Sequence, residues 1–353
     1  MRKTASVLVY ILLSISVGAA EINFSGETLF SFAASGQNTG SITDVSLKQS
    51  LDLDVYGNDA SLYLNGGVGY DALENSLNLF LSEAYAGYHA GSCAFRLGKQ
   101  KATWGNAELL SAVDVITPSD LSNPVSMEKK AINALKASYD AFPYAADFYW
   151  IPVFTPSVSL PAFEPEPSLE NSEYALKASA YTSAGDFALY GYYGWEDIPS
   201  FHGSGAGYDR LVMAGASAAV PAGDVTFKAE AGWYPKRDSV ISVMTGLEWI
   251  HNDLTIVAEL YGEWNSKTEK LSGRAGTGVS YNLLDGDLEL SVAGLLELRE
   301  LDGAVVAQAQ YAFTDEFKAS VSAVYIFEGP DGPGTYGVFK DLNSVRFSAT
   351  YSF

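Results

Sequence analysis

The sequence predicts an all-β protein: a transmembrane, antiparallel, up-and-down β-barrel of about 18 strands, with about 16 the next count. Three observations carry this. In the last strand Val345, Phe347, Ala349, Tyr351 and Phe353 share one parity, against Ser344, Arg346, Ser348, Thr350 and Ser352 on the other. Successive strand side chains face opposite ways, so this ribbon is apolar on one side and polar on the other. Residues 1–20 read as a secretory leader, and no later segment is a long apolar run. Tight turns alternate with longer connections, the pattern of a barrel that sits in a membrane.

The elements follow in order. Arg2 and Lys3 form a basic start, Val7 to Ile15 an apolar core, and Ser16 to Ala20 a run of small residues suited to cleavage. Strands are expected at 22–33, 45–55, 60–69, 77–89 and 92–99. A long insertion then separates 92–99 from 132–139 and 145–152. Further strands are expected at 173–183, 186–194, 208–219, 223–233, 240–251, 254–263, 275–283, 286–298, 303–312, 316–327 and 342–353. Val225, Phe227, Ala229, Ala231 and Trp233 alternate with Thr226, Lys228, Glu230 and Gly232. Many strands have the roughly 9–11 residues that a tilted strand needs to cross the hydrocarbon layer. Tight turns are expected at Gly57–Asp59, Ala90–Gly91, Ala184–Gly185, Pro221–Gly223, Asn252–Asp253, Asp285–Gly286 and Thr314–Asp315. Longer connections are expected at 34–44, 100–131, 153–172, 195–207, 264–274 and 328–341. This places both termini on the short-turn, periplasmic side. Tyr, Trp and Phe gather near strand ends, as at Tyr192 to Trp195 and at Trp233 and Tyr234, where interfacial girdles form.

The chain end on Phe353, with Tyr351 before it, resembles the assembly signal of bacterial outer-membrane barrels. That resemblance implies recognition by the barrel-assembly machinery and a location among outer-membrane lipid.

Composition agrees. The 353 residues are 48% hydrophobic, with 22 Tyr and 33 Gly, and no linker splits 21–353 into two compositional halves. The mean hydropathy of +0.05 is low for a helical membrane protein and suits a barrel with a polar lumen. Removing Arg2 and Lys3 with the leader takes the formal charge from −21 to −23, which argues against nucleic acid as a partner. The single cysteine, Cys93, makes no internal disulfide and shares the apolar parity of Phe95 and Leu97.

The insertion is the most distinctive stretch. FRLGKQ (95–100) is followed by TWG (103–105), DVITPSDLSNP (114–124) and WIPVFTPS (150–157). These motifs resemble a family of large bacterial outer-membrane barrels of unassigned function, similar in plan to porins and to polysaccharide-export channels. The resemblance implies a barrel and a pore and names no cargo. The usual family form has Arg where Lys99 stands, so a bidentate anion contact is lost there. Read on its own, the insertion exceeds the roughly 12–15 residues of an ordinary loop. Leu109, Leu110, Val113 and Ile116 stand at helical spacing, with Pro118 as a stop and Asp120 as a cap for a following turn. The segment is expected to fold into the barrel mouth and narrow it. An extracellular cap that leaves the lumen open is the competing arrangement. Constriction candidates are Lys99, Lys101, Trp104, Glu108, Asp114, Asp120, Lys129 and Lys130. The Pro-rich stretch 152–168 is stiff and reads as a brace or an exposed rim.

If the apolar parity faces lipid, the inner wall carries Lys48, Asp52, Asp54, Arg96, Lys177, Lys228, Glu230, Glu248, Glu259, Asp287, Glu289, Glu297, Glu316, Lys318 and Arg346. Acids outnumber bases nine to six, a weak lean toward cations. His89, His202 and His251 are far apart in sequence, no Cys/His set has zinc-ligand spacing, and GAGYDR (205–210) is not a phosphate loop. No cofactor, no metal and no enzymatic activity are expected. The expectation is a channel for diffusion or selective uptake or export of small hydrophilic solutes. The alternative is a plugged, surface-exposed structural or adhesive barrel.

Overall fold

The computed structural model describes residues 21–35, 41–121, 128–202, 205–235 and 239–353. The leader expected at 1–20 lies outside the described residues. Strands β1 (Glu21–Ser35), β2 (Ile42–Tyr56), β3 (Ala60–Asp71), β4 (Ser76–Ala90) and β5 (Cys93–Gln100) precede the insertion. After it come β6 (Ile132–Ala141), β7 (Tyr144–Val153), β8 (Glu173–Thr182) and β9 (Gly185–Trp195). A short loop hairpin, β10 (Ser200–His202) and β11 (Gly205–Gly207), follows. The wall resumes with β12 (Arg210–Ala222), β13 (Val225–Tyr234), β14 (Val240–His251), β15 (Leu254–Asn265) and β16 (Lys270–Leu283). It ends with β17 (Leu288–Glu297), β18 (Gly303–Ala312), β19 (Phe317–Phe327) and β20 (Ser344–Ser352).

Eighteen of these form one antiparallel sheet in which chain neighbours pair, and β1 pairs with both β2 and β20. The sheet is therefore a closed cylinder. Closure pairs the backbone groups that an open edge would leave bare, which hydrocarbon does not tolerate.

Period-2 patterning sets the two faces. Leu77, Leu79 and Leu189 point outward, Leu79 at 85% exposure, while their strand neighbours point into the cylinder. A bulge in β4 preserves this sorting. Asn65 pairs with Glu83 while Gly66 pairs with Leu81, so one residue is skipped. Leu77, Leu79 and Leu81 stay outside, and Glu83 and Tyr85 stay inside. The largest buried cluster, which includes Trp104, Val113, Ile116, Tyr190 and Met213, lies within the cylinder.

Connections at one end are tight, at 57–59, 91–92, 142–143, 183–184, 223–224, 252–253, 284–287 and 313–316. Four at the other end are long, at 101–131, 154–172, 196–209 and 328–343. Two of the expected long connections are corrected. Strands reach Ser35 and resume at Ile42, which shortens the first, whose residues 36–40 lie outside the described residues; strands reach Asn265 and resume at Lys270, so 264–274 is mostly strand. In the second, the Asn265 side chain accepts the amides of Lys267 (3.1 Å) and Thr268 (3.0 Å), closing an Asx turn within four residues.

Candidate functional site

Residues 101–121 leave β5 and run into the cylinder, and 128–131 lead back to β6. The helix expected over Glu108–Ile116 does not form; the segment is a series of turns and bends. Its amides go instead to two carboxylates of the far wall. Glu230, on β13, accepts Asn106 N (2.5 Å), Ala107 N (3.0 Å), Ser111 Oγ (2.7 Å) and Ala112 N (2.7 Å). Glu259, on β15, accepts Glu108 N (2.7 Å), Leu109 N (3.0 Å) and Leu110 N (2.8 Å). Both are 2% exposed. Hydrogen bonds to an ionised acceptor are about twice as strong as neutral ones, so seven of them hold the loop firmly.

The wall is shaped for this contact. Gly232 faces the Ala112 carbonyl so closely that a Cβ there would collide with it. Tyr234 Oη (2.7 Å) and Ser242 Oγ (3.2 Å) donate to that same carbonyl. Gly105 takes φ +82°, a conformation that favours glycine, and lies against the Glu230 carboxylate. Lys228 Nζ lies 2.9 Å from Glu108 of the loop and 2.9 Å from Glu248 of the wall. Apolar side chains of the loop fill the rest, with Leu110 and Ala112 in one cluster with Met244 and Tyr261.

The root of the loop is a second anchored unit. Trp104 is buried, 5.2 Å from the Tyr190 ring and 6.5 Å from the Tyr192 ring. Asp114 pairs with Lys129 (3.3 Å) and Lys130 with Asp120 (3.5 Å). Burial raises the Asp114 carboxyl above its ordinary value, against the lowering effect of Lys129. Lys130 Nζ also donates to the carbonyls of Pro156 (3.2 Å) and Ser157 (2.8 Å), so the Pro-rich loop braces the insertion. Ser157 Oγ in turn donates to Asp197 (2.5 Å), tying in the 196–209 loop.

The constriction candidates therefore separate. Glu108 is at the loop tip with a half-exposed side chain. Asp120, Lys129 and Lys130 belong to the root. Trp104 and Asp114 are buried there, so neither is free to meet a solute. Lys101 is exposed, its amide donating to Glu83 (2.8 Å). Lys99 is corrected: it shares the outward parity of Phe95 and Leu97, and its ammonium donates to the Leu81 carbonyl.

The wall residues read from parity fall on the inward register, with two qualifications. Asp287 and Glu316 lie in turns at the rim, outside the strands. Glu230 and Glu259 face inward but are sealed under the loop. Asp52 accepts Tyr63 Oη (2.8 Å) and Asn65 Nδ2 (2.7 Å), and Tyr56 donates to Asp54 (3.2 Å). Lys48 lies over the Phe80 ring at 4.6 Å and Arg96 over Tyr85 at 4.3 Å. Arg96 pairs in register with Lys136, which bridges to Asp147 at 3.1 Å, and Asp147 pairs in register with Lys177. Lys228 and Glu248 are paired as above. Glu289 stands opposite Gln310, Glu297 opposite Arg274, Lys318 opposite Thr350, and Arg346 lies 3.6 Å from Asp44. Sequence reading missed Lys136 and Asp147, although each sits on the polar parity of an expected strand. It missed Arg274 because 264–274 was read as loop. A cavity of about 190 Å³ near Arg96 is lined by Asp54, Tyr63, Tyr85, His89 and Lys136.

Fold and site together define a closed antiparallel barrel with an infolded loop. No protein-family model matches the chain, and no curated protein matches it. Solved structures do. OccK2 (OpdF) of Pseudomonas aeruginosa, in a crystal structure with glucuronate, is similar over 94% of this chain and 98% of its own, with TM-score 0.62 and 9% identity. OccK5 (OpdH) of the same organism is similar over 94% and 98%, with TM-score 0.60 and 9% identity. OccAB1 of Acinetobacter baumannii is similar over 95% and 96%, with TM-score 0.58 and 8% identity. At such identities the likeness is one of fold: a closed barrel with the same overall plan.

Proposed function

We propose that this chain is a porin-like channel of the bacterial outer membrane, without catalytic activity or cofactor, through which small hydrophilic solutes diffuse. The observation that carries the reading is the insertion bonded to Glu230 and Glu259 across a closed, lipid-compatible cylinder. A loop held in that position narrows a water-filled path, with Glu108 at the aperture and the Arg96–Lys136–Lys177 belt on another side. In this reading both termini are periplasmic, the mature chain is 21–353, and Phe353 and Tyr351 present the C-terminal strand to the assembly machinery.

The ion preference is slight. Glu230 and Glu259, two of the nine acids counted on the wall, are held by amides, and Glu248 is paired with Lys228. A weak cation lean remains from Asp52, Asp54 and Glu289.

Deleting residues 106–128 from the full chain and recording single-channel conductance in planar bilayers tests the constriction. A folded deletion variant should conduct more than the parent; equal conductance overturns the narrowing role. The competing reading, a plugged structural or adhesive barrel, is favoured by the dense packing around Trp104, Tyr190 and Tyr192. Liposome swelling separates the two, since a plugged barrel admits no sugar.

A further inference from the structure

The insertion reaches Gly276 of β16 and packs with Leu295 of β17, and the wall that continues from there to β20 is rich in hydroxyl and amide side chains. Register places Ser280, Ser291, Gln308 and Ser322 in one row across β16 to β19. The adjoining row on β18 and β19 is Gln310 and Ser320, and it continues through Ser348 of β20 and Ser31 of β1. The first six make no side-chain hydrogen bond among the described residues, and Gln308 is exposed. Charges close both rows, with Glu289 opposite Gln310 and Arg346 opposite Ser322. Glu289 and Lys318 are near the tight-turn ends of β17 and β19, and Arg346 is beside Asp44. Towards the other rim the inward register turns apolar, with Val306 opposite Val324. Past β2 the wall presents rings, with Tyr63 and Tyr85 at 5.1 Å between centroids.

We propose that this hydroxyl- and amide-lined wall is a binding track for uncharged polyhydroxylated solutes, that is, neutral sugars or polyols. The inference rests on the channel reading and names the solute class for it. A neutral sugar carries donors and acceptors along its edge and C–H groups on its faces. On this wall it exchanges water hydrogen bonds for free hydroxyl and amide partners at little net cost. Its apolar faces meet Val306, Val324 and the tyrosine rings. A charged sugar of the same size sheds part of a stronger hydration shell and meets charge only at the row ends, where Glu289 and Arg346 have opposite signs.

The test is liposome swelling with the full-length barrel and three probes of one ring size: a neutral hexose, its uronate and its amino analogue. The hexose should pass several-fold faster than either charged sugar. In a Gln308→Leu/Gln310→Leu variant that still migrates as a folded, heat-modifiable barrel, the hexose-to-uronate flux ratio should fall toward unity. A milder Ser291→Ala/Ser322→Ala variant should move the ratio the same way if the leucine variant fails to fold. Equal or faster passage of a charged sugar overturns the track, as does an unchanged ratio in the folded variants. Passage of no sugar and no ionic current would instead sink the channel reading itself.

Discussion

Glu230 and Glu259 show how a single side-chain type organises the site. Each is a carboxylate at 2% exposure whose partners are backbone amides, with the Ser111 hydroxyl added at Glu230, rather than cations, among the described residues. Burying an ion is tolerable only when its lone pairs are met, and here they are met by the loop they fix. Glu259→Gln keeps one oxygen but turns an NH₂ toward amide donors. The loss should be about 2 kcal/mol of anchoring for each charge-assisted bond broken. The expected outcome is a folded barrel with noisier, larger single-channel currents and faster proteolysis within 105–113. Identical current traces from Glu230→Gln, Glu259→Gln and the double variant would show that the loop is held otherwise. Glu230 and Glu259 were legible in the sequence as inward-facing acids. Their service to a loop was not, because the nearest donors in sequence, Ala112 for Glu230 and Leu110 for Glu259, lie 118 and 149 residues away.

At the scale of elements, legibility follows the range of the interaction that decides the structure. Strands declare themselves locally: a lipid-facing surface demands apolar residues every second position, as in Phe317, Ala319, Val321 and Ala323. The insertion misled because Leu109, Leu110, Val113 and Ile116 recur at helical spacing while the amides between them are claimed by the wall. Its buried residues were identified, its secondary structure was not. The seat for the loop left only a faint trace, a glycine at 232 on the inward parity of β13. Gly232→Val should push Ala112 off the wall and raise conductance while the barrel still folds; unchanged conductance would mean that the loop accommodates the side chain. The root has its own pH dependence. Because burial raises the Asp114 carboxyl, the folded root binds a proton more tightly than the unfolded chain does. Its stabilising contribution is complete below the ordinary carboxyl value of about 3.9 and is lost as pH rises through the raised value. Proteolysis of the 114–121 segment should therefore accelerate in the parent as pH rises above the ordinary carboxyl value, and Asp114→Asn should flatten that response. A steep response that survives in the variant would assign it to another group.

For the whole molecule, closure is the property on which the rest depends, and it is made at one seam. β1 meets β20 through Glu27–Ser352 to Ser35–Ser344, and the pairing is extended by reciprocal bonds between Gly26 and Phe353, both 3.0 Å. The terminal ring lies over Gly26 and 6.3 Å from Phe24. The same aromatic residue that reads as an assembly signal is thus a component of the finished wall. A side chain at position 26 displaces the ring without removing any residue of the terminal strand, which separates the two roles. Gly26→Val should cost about 1 kcal/mol of ring packing. The folded band on unheated gels should be lost at lower temperature than in the parent, while delivery to the membrane continues. If Phe353 served recognition alone, the variant would melt with the parent. A loss of delivery with an unchanged melting point would place position 26 in the recognition step instead. Because the sheet has no other free edge, a weakness at this seam is a weakness of the entire cylinder, and the lumen loop with its two carboxylate anchors would be released along with it.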